Sequence, residues 1–89
     1  MWYDIVLELI FRDNDNRQCI ILSLGDKNEA IDKMNSYSAK LSWNTIKDYT
    51  DFAPEIIKKA GFYVNEVAES TLYDEGYSKM VSIGKYIER

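Results

Sequence analysis

The groups in this chain that could do chemistry are 15 carboxylates, 11 Lys or Arg side chains, 7 tyrosines and one thiol, Cys19, with no histidine. Carboxylates alone can carry acid–base chemistry, but only where their surroundings hold a pair of pKa values apart. No spacing marks such a pair. Glu66 and Glu69 share a face if their segment is a helix and point to opposite faces if it is a strand. Solvated surface charge is the ordinary role of such residues. The absence of His removes the commonest general base and metal ligand, and with them Ser-His-Asp and Cys-His catalysis within the chain. Cys19 stands in the apolar run Cys19-Ile20-Ile21-Leu22 with no neighbouring cation. A thiol there stays protonated and reads as a small core residue. A single Cys forms neither an internal disulfide nor a zinc site, and it suits a reducing compartment.

Two further motifs fall short. Asp13-Asn14-Asp15-Asn16 resembles the opening of a calcium loop, but the sixth and twelfth positions, where Gly and a bidentate Glu are needed, hold Gln18 and Leu24. The stretch reads instead as a hairpin turn. The four glycines, Gly25, Gly61, Gly76 and Gly84, are too far apart for a phosphate-cradling loop. No cofactor or metal is expected. Basic residues are dispersed, with no cluster larger than Lys58-Lys59, and the net charge is −4, so direct nucleic-acid binding is not expected either.

Residues 60–78 stand out. They hold Glu66, Glu69, Asp74 and Glu75 together with Tyr63, Tyr73 and Tyr77, and no Lys or Arg. Tyrosines give rigid contact area and carboxylates steer encounter with a basic surface, so these seven residues are the candidate partner-binding set. The plainer reading is a solvated hairpin whose tyrosines pack on a sheet.

These residues must be positioned by a small number of elements. At 89 residues there is room for a single compact domain with a thin core. Residues 2–12 alternate as a strand, with Tyr3, Ile5, Leu7, Leu9 and Phe11 on one face and Trp2, Asp4, Val6, Glu8 and Ile10 on the other. Residues 18–24 form its hairpin partner. That second strand is apolar on both faces, which predicts a central position in the sheet. Asp26 and Glu29 have capping-box spacing, and Ala30, Ile31, Met34, Tyr37, Ser38 and Leu41 recur at helical intervals, predicting a helix over 27–41. Tyr37, Trp43, Tyr49 and Phe52 are expected mostly in the core.

Pro54, the stripe Ile56, Ile57 and Ala60, and Gly61 at a C′ position predict a second helix. The segment 62–73 fits a strand and also a helix; the Phe62-Tyr63-Val64 opening favours the strand. Residues 79–87 alternate as a last strand. The expected fold is α+β: an antiparallel sheet of two hairpins, in the order β-β-α-α-β-β, with helices packed on one face. The expected core is Ile5, Leu7, Leu9, Ile20, Leu22, Ile31, Met34, Leu41, Ile56, Val81 and Ile83. The other face of the sheet would then carry Trp2, Val6, Ile10, Met80 and Tyr86, a patch that favours a homodimer or a partner-covered sheet.

Met1-Trp2-Tyr3-Asp4 has no signal-peptide features, and no apolar run exceeds 4 residues, so neither export nor a membrane-spanning helix is expected and the expected location is cytoplasmic. An acidic chain without evident chemistry predicts a non-catalytic protein-binding domain. Its size and charge are like those of small inhibitors, immunity proteins and phage anti-defence proteins, which implies a basic protein partner, such as a nucleic-acid-binding surface to be blocked. The competing expectations are a small carboxylate enzyme or ligand-binding domain, and a structural or housekeeping subunit acting as a homodimer.

Overall fold

The structure is a computed structural model that describes residues 1–68 and 78–89. Strand β1 (Trp2–Phe11) turns into β2 (Asn16–Leu24), the helix α1 (Lys27–Lys40) follows, and β3 (Ile57–Val67) and β4 (Ser78–Glu88) complete the chain. Single 3-10 turns lie at Ile46–Asp48 and Pro54–Ile56. The four strands form one antiparallel sheet in the order β2-β1-β3-β4. The class is therefore α+β.

The first hairpin and the helix form for the reasons legible in their residues. Asn14 takes a left-handed φ of 68° at the β1–β2 turn, where Asp13 Oδ1 accepts from the Asp15 amide at 3.0 Å. Asp26 caps α1 by accepting from the Glu29 amide at 2.9 Å. The helix then lays Ala30, Met34 and Ser38, one per turn, onto the sheet. Beneath it are Ile5, Leu7 and Leu9 of β1 and Ala60, Phe62 and Val64 of β3, all fully buried. The loop after α1 closes one end of this core with Ile46, which is fully buried, and with Tyr49, whose ring meets Phe62 at 5.2 Å and Tyr37 at 5.8 Å. Phe52 meets Phe11 at 5.1 Å. The middle aromatic group, Tyr37, Trp43, Tyr49 and Phe52, is thus half-buried against the core rather than in the expected place within it.

Three expectations are corrected. The second helix does not form: Pro54–Ile56 is one 3-10 turn, and Ile57, Lys58, Lys59 and Ala60 open β3. The reason is a bulge. Ile57 pairs with Phe11 and Lys59 with Ile10, leaving Lys58 as an extra residue. The bulge spaces the buried Ile57 and Ala60 three apart, the interval of a helix, while both remain on one face of a strand. Second, β2 is an edge strand, not a central one. Its doubly apolar character has another cause: Cys19, Ile21, Leu22 and Leu24 pack toward α1, while Ile20 projects from the opposite face, 64% exposed. Third, Ile20, Ile56 and Ile83 lie outside the core, and Phe62, Val64, Ile57 and Ile46 take their place. Irregular pairing in β4 turns Ile83 away from Val81 and Ile87, which stay against the core.

Candidate functional site

Among the described residues, the helix covers one face of the sheet and nothing covers the other. Strand register fixes which side chains share that open face. Ile20, Val6, Tyr63 and Ile83 pair successively across all four strands, so they form one apolar row. On the N-terminal side of β1 the next row is Ser23, Asp4, Asn65 and Met80, and beyond it Trp2 pairs with Val67. On the other side the row is Gln18, Glu8, Gly61 and Tyr86, and beyond that Asn16, Ile10, Lys59 and Glu88. Trp2, Val6, Ile10, Met80 and Tyr86 therefore all lie on this face, as the alternation predicts. Val6 is 3% exposed beneath its neighbours, whereas Ile20, Ile83 and Met80 are 64%, 60% and 52% exposed. Scattered exposed apolar residues are ordinary, but a contiguous set on one flat face is not.

Three carboxylates lie on this face, Asp4, Glu8 and Glu88; Ser23 donates to Asp4 Oδ1 at 2.6 Å, and Glu8 is tied down twice. Tyr86 donates to Glu8 Oε1 at 3.0 Å and Gln18 donates to Oε2 at 3.4 Å. The Tyr86 ring reaches Glu8 because it lies flat over Gly61, in the space a side chain there would fill. Lys59 approaches the same ring, 5.5 Å from its centre. Burial, and then the charge of Glu8 and its hydrogen bond, push the Tyr86 phenol well above its ordinary pKa. Burial followed by Glu8 raises Tyr63 as well.

Of the seven candidate partner-binding residues, Tyr63 and Glu66 are among those described, and they lie on opposite faces of the sheet. Tyr63 sits at the centre of the open face. Glu66 is on the opposite face, where it pairs with Tyr3 and Lys79 and accepts a hydrogen bond from the Tyr3 hydroxyl at 3.2 Å. Burial, then this bond, raises the Tyr3 phenol. Glu69, Tyr73, Asp74, Glu75 and Tyr77 lie outside the described residues.

Elsewhere shallow grooves lie among the described residues. One, of about 360 Å³, is lined by Phe11, Arg12, Asp13, Phe52 and Ile56. Another, of about 420 Å³, is lined by Cys19, Tyr49, Thr50, Asp51 and Phe52, so Cys19 is half-buried at a groove wall rather than in the core. Among the described residues no group of three or more Asp, Glu or Cys side chains is close enough to hold a metal ion. The carboxylates of the calcium-like stretch are spent on the turn, Asp15 Oδ1 accepting from the Asn16 amide at 3.1 Å. Among the described residues no helix is long and apolar enough to cross a membrane.

Alternation in β1 and β4 is enough to place five of the open-face residues. It does not reveal Ile20, Ile83 and Tyr63 as members of one row, which strand register alone brings together. The signal that could have found Ile20 was the two-sided apolar character of β2, which an edge strand needs only if both faces make contacts. No protein-family model matches the chain, and no curated protein or solved structure matches it.

Proposed function

We propose that this chain is a non-catalytic protein-binding domain and that the open face of its sheet is the binding surface. One observation carries the reading: the apolar row Ile20–Val6–Tyr63–Ile83, extended by Met80 and Trp2, faces away from the helix and is largely exposed at its ends. A flat face with aliphatic and aromatic residues at its centre and polar groups around them has the anatomy of a protein interface. It lacks the concavity and convergent polar groups of a small-molecule site. Of the carboxylates on it, Glu8 already accepts two hydrogen bonds and Asp4 one, which lowers the cost of covering them.

The finer form of this reading is an inhibitor that occupies a basic partner, of the immunity or anti-defence kind, in a reducing, cytoplasmic setting. The net charge of −4 and the acidic tyrosine-bearing segment support it. Affinity capture from the native host, with wild type beside an Ile20→Lys/Ile83→Lys double variant, tests the general reading, with binding confirmed on the purified partner. Capture by wild type and loss in the variant, with folding intact by circular dichroism, is the expected result. Equal capture by both proteins refutes the open-face site. For the finer form, Glu66→Lys, Glu69→Lys and Glu75→Lys together should slow association and flatten its salt dependence.

A further inference from the structure

We infer that the open face is covered by a second copy of this chain, packed face to face about a two-fold axis that runs parallel to the strands. The inference rests on the open face being a protein-binding surface and names its occupant. The face is complementary to itself, row by row. A two-fold axis lying between two stacked sheets and parallel to their strands places β2 over the partner's β4 and β1 over the partner's β3, each row over the same row. In the central row Ile20 then meets a second Ile83, and Val6 meets a second Tyr63, each contact occurring twice. The carboxylates fall well. Asp4 comes over Asn65, and Glu8 comes over Gly61 with its Tyr86 ring cover. Asn16 comes over Glu88, and Ile10 over Lys59, whose stem is apolar.

The alternative axis, perpendicular to the strands, reverses the order of rows and brings Asp4 over Glu8 twice. Like carboxylates that close in a desolvated interface are strongly unfavourable. Twisted sheets stack with their strands rotated by roughly 30°, which separates the corners and leaves the central row in register.

Area agrees with a stable pair. Strands ~4.8 Å apart, with β1 rising ~3.4 Å per residue over its 10 residues, give the four-stranded face a plan area of about 600 Å² before side-chain relief. A standard interface buries about 800 Å² per partner. The sheet edges, by contrast, discourage edge-to-edge growth. β4 carries two pairing irregularities together with Lys79 and Lys85, and β2 carries a bulge.

Sedimentation equilibrium on the whole chain, together with directed cross-linking, tests the inference. Wild type is expected to dimerise in the micromolar range. Ile83→Lys should weaken the dimer at least ~100-fold, because the change enters the interface twice and buries an ammonium there. Ile56→Lys, at an apolar residue 46% exposed away from the open face, should leave association unchanged. In a Cys19→Ser background, I20C mixed with I83C should cross-link with a short bismaleimide, and neither alone should. Cross-linking within I20C or I83C alone overturns the strand-parallel axis. A monomer at several hundred micromolar overturns the second copy as occupant. A monomer whose open-face variants still lose a captured partner leaves the binding-face reading standing, so the two failures are separable. Salt gives a further arm. With −4 on each copy, dimerisation should tighten between ~20 and ~200 mM salt, whereas a basic partner at the same face would weaken.

Discussion

Tyr86 shows how a single side chain joins the two halves of the open face. It belongs to the edge strand β4, covers the bare backbone of Gly61 in β3, and hydrogen-bonds Glu8 in β1. Its phenol is raised by burial first and by Glu8 second, and Tyr63 is raised in the same sense. The linkage has one direction. The unfolded phenol ionises near pH ~10, while the folded one holds its proton to higher pH. Below pH ~10 both states are protonated and the stabilisation is complete; above it the unfolded chain releases protons the folded chain retains, and stability falls. Urea midpoints should therefore be flat from pH 7 to 9 in this respect and drop above pH ~10. Tyr86→Phe should cost about 1 kcal/mol at neutral pH and make the alkaline drop shallower. An unchanged alkaline slope in Tyr86→Phe would remove Tyr86 as its source.

Among the elements, β4 and α1 depend on one another at Gly84. A Cβ at that position would fall on Ser38 Oγ and Met34 Sδ, and the Ser38 hydroxyl lies 3.4 Å from that sulfur. Gly84→Ala should push the helix off the edge strand at a cost of about 1–3 kcal/mol in urea unfolding. Adding Ser38→Ala should recover part of the loss, since it removes the nearest atom, and strict additivity would argue that the two positions do not touch. The same elements show how far residues alone foretell structure. β1 and α1 were legible because each obeys a single period, with Asp26 marking the helix start. β3 was half-legible, because the bulge at Lys58 gives a strand the three-residue interval of a helix. In β4 alternation places Met80 and Tyr86 on the open face and Val81 on the core, and fails at Ile83, because the pairing slips between Gly61 and Tyr63 and again between Val64 and Asn65. Bulges are set by the partner strand, so local alternation cannot reveal them. For the site, five open-face residues followed from alternation; the row itself followed only from register, which is a property of four strands together.

At the scale of the whole molecule the economy is lopsided. Among the described residues one helix of 14 residues covers one side of a four-stranded sheet, so the core they form is a single layer and the second face of the sheet contributes little to it. A chain of 89 residues has limited means to be stable in this state. Covering the open face with a second copy would supply what the single helix does not, and it makes stability depend on protein concentration. Because only folded chains pair, each tenfold rise in concentration adds about 1.4 kcal/mol per dimer to the folded state. For two 89-residue chains unfolding together this corresponds to a rise of about 3–5 °C in Tm. Differential scanning calorimetry over two decades of concentration should show that rise in wild type and a constant Tm in Ile83→Lys. The variant should also melt below wild type at high concentration and converge with it on dilution, because the substitution removes an intermolecular contact and leaves the buried core untouched. A Tm that is independent of concentration in wild type, or a deficit in Ile83→Lys that persists on dilution, would mean that Ile83 serves the fold of one chain and not the pairing of two.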